Sequence, residues 1–305
     1  MGRRRHLLGL EALSREETVA ILDRAASFKK DGRLIPGKRD TLKGKAVLLL
    51  FFEPSTRTSM SFEIAAKRLS ADVLRFNGAG SSLTKGESLI DTARNIEAMG
   101  NIDVAVIRHS VPGTPQLLAR SIEAAVINAG DGAHEHPTQG LLDVMTIREV
   151  KGGFEGLKVA IVGDIAHSRV ARSDIFALNT LGAEVTVCGP ATLIPDDITA
   201  LGVDVSYDFD ALIPEMDVVI MLRIQRERME ESLLPSDREY TRCFGLTRDR
   251  ATRMKPDAIV MHPGPINRGV ELAPEVADGE RSVILQQVTN GVAVRMAVLE
   301  MLLET

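Results

Sequence analysis

Short apolar runs, each followed by a segment of helical periodicity, recur along most of this chain. Runs at 46–50, 103–107, 125–128, 158–162, 184–187 and 218–222 are dominated by aliphatic residues, with shorter ones near 73–76, 203–206 and 258–261. Such runs fit strands buried on both faces rather than strands with one wet side. Between them the apolar spacing changes. Phe62, Ala65, Ala66 and Leu69 share one helix face, and Ser14 with Glu17 reads as a capping box ahead of another helix. Strands alternating with helices predict an α/β fold with parallel sheets covered on both sides. At 305 residues the chain suits two domains of ordinary size. A second unit begins after Gly152 and Gly153, and the last helix, expected at 287–303, is too densely apolar to face solvent. The expectation is two doubly wound parallel-sheet domains, 1–137 plus 287–305 and 138–286, with the C-terminal helix packing back on the first domain.

Composition removes several function classes. A hydrophobic fraction of 44% and a charged fraction of 26% are those of a soluble globular protein, and no apolar run approaches the length of a membrane helix. The N-terminal basic cluster precedes an apolar stretch too short for a signal peptide. Net charge is −5, tryptophan is absent and aromatics are 4%, so neither a broad nucleic-acid surface nor base-stacking platforms are indicated. Two cysteines, Cys188 and Cys243, argue against a disulfide framework and fit a reducing cytoplasm. The second domain opens with Val162-Gly163-Asp164, lacking Gly-x-Gly-x-x-Gly spacing, and no Walker loop occurs. Nicotinamide and ATP chemistry are therefore disfavoured.

The stretch Phe51-Phe52-Glu53-Pro54-Ser55-Thr56-Arg57-Thr58 lies where a strand ends and a helix begins. Free N–H groups and the positive end of the helix dipole make such a turn an anion site. Hydroxyls plus a forked guanidinium suit the oxygens of a phosphate. Simple capping is the competing reading. One hydroxyl suffices for it, and it gives no reason for Arg57 in a first turn that disfavours cations. Other residues are open to two readings. Arg108, after the 103–107 run, suits either a ligand at the sheet edge or a surface ion pair. Lys85 sits in a polar Gly-rich loop and by default is a solvated lysine. His136 precedes Pro137 at a helix start and by default is structural. The spacing His134-Glu135-His136 is too weak to indicate a metal site.

Ser-Thr-Arg-Thr after Phe-x-x-Pro and before Ser-Phe-Glu resembles the carbamoyl-phosphate motif of the aspartate and ornithine carbamoyltransferase family, and the likeness extends over essentially the whole chain. The resemblance implies that Ser55, Thr56, Arg57, Thr58 and Arg108 bind carbamoyl phosphate, that His136 donates to its carbonyl oxygen and that Gln139 contacts its amide. It implies that Ser81, chosen over Ser82 by its spacing to Lys85, and Lys85 reach a neighbouring subunit's site. Arg57, Thr58, Arg108 and His136 are the expected catalytic set, with no cofactor and no metal.

The second domain resembles the aspartate branch. Arg223-Ile224-Gln225 matches an Arg-x-Gln motif after a strand, and Arg169 matches a second arginine. Two guanidiniums suit a dicarboxylate. The Asp and Ser-Met-Gly of the ornithine enzymes and their His-Cys-Leu-Pro loop are missing; here the loop is His262-Pro263-Gly264-Pro265. The resemblance implies that backbone groups at Pro263, Gly264 and Pro265 face the attacking amine and that Lys85 also reaches aspartate. His167 and Gly264 depart from the family pattern, and 230–247 resembles its mobile loop. The implied substrates are carbamoyl phosphate and L-aspartate, in an early step of pyrimidine synthesis. The implied assembly is a homotrimer with shared sites, open to further association with regulatory or other pathway chains, in the cytoplasm and with no nucleic-acid or membrane partner. The alternatives are a relative using ornithine or a modified amino acid, and a silent scaffold that keeps the fold.

Overall fold

A computed structural model of the chain describes residues 5–77, 87–225 and 236–303. Two units result, Met1–Leu141 with Thr289–Thr305, and Leu142–Val288.

In the first, helix α1 (Arg15–Ala26) starts at the expected capping box, Ser14 Oγ accepting from the Glu17 N–H and the Glu17 carboxylate accepting from the Ser14 N–H at 2.9 Å. Strands β1 (Lys29–Lys30) and β2 (Arg33–Leu34) form a small antiparallel ribbon. Two-residue strands leave no periodicity to read. Then follow β3 (Ala46–Phe51), α2 (Thr56–Arg68), β4 (Asp72–Asn77), α3 (Leu89–Met99), β5 (Val104–His109), α4 (Thr114–Ala119), β6 (Ala125–Asp131) and the start of α5 (Pro137–Lys151), which continues into the second unit. The sheet runs β4-β3-β5-β6, all parallel. Leu48, Leu50, Ala105, Ile107 and Val126 pack on one face, while Val47, Leu49, Val104 and Val106 of the other are equally buried. That is why these runs lack alternation. The chain winds from β3 outward to β4, then returns to β5, which puts the switch point between β3 and β5.

The second unit comprises β7 (Lys158–Val162), α6 (Arg169–Leu181), β8 (Glu184–Cys188), β9 (Asp204–Ser206), α7 (Phe209–Leu212), β10 (Val218–Met221), α8 (Asp237–Phe244), α9 (Arg248–Thr252), β11 (Ile259–Met261), α10 (Pro274–Ala277) and the start of α11 (Ile284–Leu303). Its parallel sheet runs β11-β10-β7-β8-β9, so its switch point lies between β7 and β10. Ala160, Val162, Val219, Met221 and Val260 pack with Phe209, Met254 and Leu272.

From Thr289 onward α11 belongs to the first unit. There Glu300 accepts from Arg24 Nε and Thr41 Oγ1, both at 2.6 Å, and Arg295 Nη1 donates to Ser61 Oγ at 2.8 Å. The helix starts earlier than expected because its first turn leaves Leu285 exposed, so no buried face announces it. The stretch likened to a loop, 230–247, contains α8, capped by Ser236, and its earlier part, 230–235, lies outside the described residues.

Candidate active site

In the first unit the expected residues gather at the carboxyl edge of the sheet. Ser55 is the N-cap of α2, yet its side chain makes no capping hydrogen bond, and the first turn holds no acid. Capping therefore leaves the hydroxyl unexplained. Thr56 and Arg57 are exposed in that turn, whereas Thr58 is buried. Across the switch point Phe51 pairs with Arg108, and the Phe52 N–H donates to the Arg108 carbonyl at 2.9 Å. Pairing backbone to backbone thus sets the Ser55–Thr58 turn beside Arg108. Between the pairs Ile107–Asn128 and His109–Asp131, β6 carries two residues against the one of β5. A bulge of this kind re-aims the side chain at its centre, and here that residue is Arg108. Its Nη2 donates to Glu53 Oε1 at 2.8 Å, and its Nη1 makes a longer contact of 3.4 Å with the Ala129 carbonyl. The ion pair is 12% and 24% exposed at its two side chains, so the surface salt bridge that competed as a reading of Arg108 is instead an internal one. Burial lowers the pKa of neighbouring His109, with Glu53 acting the other way, and His109 Nδ1 accepts from the Val111 N–H. With Nδ1 accepting, that nitrogen carries no proton, so of these two neighbours Arg108 is the cation.

The turn after β6 places His136. Asp131 accepts from Asn128 Nδ2 at 2.8 Å, from the Glu135 N–H at 3.1 Å and from the Gly113 N–H at 2.9 Å, and pairs with His134. Burial pushes this carboxyl up, but His134, Asn128 and Gly113 together hold it below the usual range. Glu135 turns inward to accept the Leu10 N–H at 2.8 Å. His134 and Glu135 are thus committed to the fold. His136 is 4% exposed ahead of Pro137, the first residue of α5, and Gln139 in that helix's first turn is also buried. Ser81 and Lys85 lie outside the described residues.

The second unit repeats the plan. Arg169 is buried as the first residue of α6, behind the Ser168 cap, after β7. Arg223 and Gln225 follow β10, and Arg223 Nη2 donates to Gln225 Oε1 at 3.0 Å. Asp164 knits the two loops together: its Oδ1 accepts from the His167 N–H at 3.2 Å and its Oδ2 from the Gln225 N–H at 3.1 Å. Gly163, at φ +134°, allows this approach, since a Cβ there would stand 3.0 Å from the Leu222 carbonyl oxygen. The glycine serves the neighbouring strand's backbone rather than a pyrophosphate. Pro263, Gly264 and Pro265 follow β11, which pairs with β10. Glu53 and Asp164 escaped the reading of the sequence. The Gly-Asp and Phe-Glu-Pro contexts were visible there, but their partners are distant in sequence. Among the described residues no group of three or more His, Cys, Asp or Glu could hold a metal ion.

Residues 5–149 match the carbamoyl-P binding domain of the aspartate/ornithine carbamoyltransferases, and residues 155–302 match their Asp/Orn binding domain. The chain belongs to this family. It is 58% identical over 301 residues to the aspartate carbamoyltransferase catalytic subunit of Moorella thermoacetica, covering 98% of this chain and 97% of that one. It is 57% identical to that of Syntrophus aciditrophicus over 299 residues, again 98% and 97%. Among solved structures, aspartate transcarbamoylase from Trypanosoma cruzi in complex with N-(phosphonacetyl)-L-aspartic acid superposes with a TM-score of 0.87 at 30% identity, covering 98% and 96%. Ornithine carbamoyltransferase from Pyrococcus furiosus gives 0.85 at 32%, covering 97% and 96%. Fold alone does not separate the two branches of the family, so the amino-acid substrate rests on residues.

Proposed function

We propose that the chain transfers the carbamoyl group of carbamoyl phosphate to the amine of L-aspartate, giving N-carbamoyl-L-aspartate and phosphate. The observation that carries the choice of aspartate is in the second unit. Arg223, bonded to Gln225, and Arg169 stand on two loops joined through Asp164 at one switch point. Two guanidiniums can each clasp a carboxylate bidentately, whereas a cationic ornithine side chain would be repelled. The family relatives at 57% and 58% identity carry the aspartate name.

The first unit, on this reading, holds carbamoyl phosphate. Ser55, Thr56, Arg57 and Thr58 take the phosphate oxygens at the helix N-terminus, joined by Ser81 and Lys85 from a neighbouring subunit. Thr58, Arg108 and His136 donate to the carbonyl oxygen, and Gln139 holds the amide. The neutral amine of aspartate attacks the carbonyl carbon, an oxyanion forms and collapses, and the C–O bond to phosphate breaks. The departing phosphate takes the amine's proton, so no protein base, covalent nucleophile or metal is required. Fixed electrostatics and positioning supply the acceleration. The backbone of Pro263, Gly264 and Pro265 faces the amine. The assembly is a homotrimer with shared sites. Its compartment is the cytoplasm, in keeping with two free cysteines; no described helix is long and apolar enough to cross a membrane.

Phosphate release from carbamoyl phosphate with a panel of amino acids tests this. Aspartate alone should saturate, and Arg223→Ala should raise the aspartate KM while leaving that for carbamoyl phosphate in place. Turnover with ornithine but not aspartate overturns the substrate; failure to bind N-(phosphonacetyl)-L-aspartate together with no turnover would leave a silent scaffold.

A further inference from the structure

The loop after β11 is fastened by buried groups for which no substrate role has been given. Gln287, 2% exposed, donates from Nε2 to Asp143 Oδ1 at 2.6 Å and accepts from the His262 N–H at 3.0 Å. The His262 ring continues the line. Its Nδ1 accepts from the Gly264 N–H at 2.8 Å, so Nε2 is the protonated nitrogen, facing Glu271 Oε1 at 3.2 Å. That same carboxylate oxygen accepts the Asn267 N–H at 2.6 Å. Asp143, on α5, faces Asp174 of α6, and both are fully buried.

Each role in this line dictates the next. Asp143 can accept from only the amide end of Gln287, which leaves the Gln287 carbonyl for the His262 N–H. The Gly264 N–H belongs to the same planar peptide as the Pro263 carbonyl. In a trans peptide the two point in opposite directions. Holding that N–H on the His262 ring therefore turns the Pro263 carbonyl away from the ring. An apolar side chain at 287 would leave the buried His262 N–H without its acceptor and take one donor from Asp143, which is costly enough to move the loop.

We propose that Gln287 and His262 are positioning residues for the amino-acid substrate, holding the peptide between Pro263 and Gly264 so that the Pro263 carbonyl is presented to the attacking amine. This rests on the aspartate reading of the same loop. The test compares KM values in the carbamoyl-transfer assay. Gln287→Met should raise the aspartate KM about tenfold or more while the carbamoyl-phosphate KM stays within about twofold, a displaced substrate contact rather than a general loss. Gln287→Glu adds a second readout. When protonated, its carboxyl can still donate to Asp143 and accept from His262; when ionised it repels Asp143. Its aspartate KM should approach wild type at low pH and climb as pH rises, through an ionisation that wild type lacks. A merely structural role would lower the melting temperature of Gln287→Met and leave the ratio of the two KM values alone. An unchanged ratio in folded Gln287→Met overturns the inference. If that variant does not fold, a wild-type pH profile in Gln287→Glu does so. A wild-type enzyme that fails to use aspartate overturns the substrate reading and this inference with it.

Discussion

His136 occupies a position that its neighbours in sequence define from opposite sides. Asp131 and Glu135 are drawn inward by hydrogen bonds from Asn128, Gly113 and Leu10, and Pro137 starts a helix, so the imidazole between them has little freedom of placement. Held in this way, a donor aimed at a developing oxyanion needs no reorganisation during reaction. Removing one such donor costs about 10²–10³ in kcat, and folded His136→Ala should show that loss in steady-state kinetics. A change under about threefold would take His136 out of that role. What was legible in the sequence was the placement of Ser55 to Thr58 at the start of α2, because a strand end, a cap and a first helical turn are one local event. Glu53 and Asp164 were not legible. Glu53 is read as an acid in a turn until β5, 55 residues on, brings Arg108 to it. Asp164 likewise waits for Gln225 from another loop.

Elements follow the same division between local and distant causes. The capping box of α1 was readable because a cap is written within a few residues. The ribbon of β1 and β2 and the exposed first turn of α11 carry no such signal. Between α5 and α6 lies a buried pair of acids, Asp143 and Asp174. The Asp174 carboxyl is held well above the ordinary range, by burial first and by Asp143 second. An acid raised in the folded state releases its proton earlier in the unfolded chain. Its contribution to stability is therefore fully present below the unfolded value, about 4, and is lost as pH rises toward the folded one. Asp174→Asn keeps the size and a donor but cannot ionise. Calorimetry should find its melting temperature close to wild type at about pH 4 and progressively above it toward pH 7, on a scale of roughly 2–4 °C per kcal/mol. A difference independent of pH would show that Asp174 does not carry the proton.

For the whole molecule, two doubly wound parallel sheets were expected from repeated aliphatic runs, and residues at or after the ends of β3, β5, β6, β7 and β10 supply the candidate groups. The shared-site trimer is an expectation that rests only on the family likeness of Ser81 and Lys85, and it can be put quantitatively. In a cyclic trimer each site would draw Arg57 from one subunit and Lys85 from the next, a heterologous arrangement around the ring. On that expectation Arg57→Ala chains and Lys85→Gln chains should each be inactive alone. Any ring containing both kinds has one junction where an intact Arg57 meets an intact Lys85, so it has one working site in three. With equal random mixing about three rings in four are hybrids, and the mixture should recover about a quarter of wild-type activity. Re-assembly after dissociation, followed by the phosphate-release assay, measures this directly. Sites complete within one chain would give no recovery, because every chain in the mixture then lacks one of its own two groups.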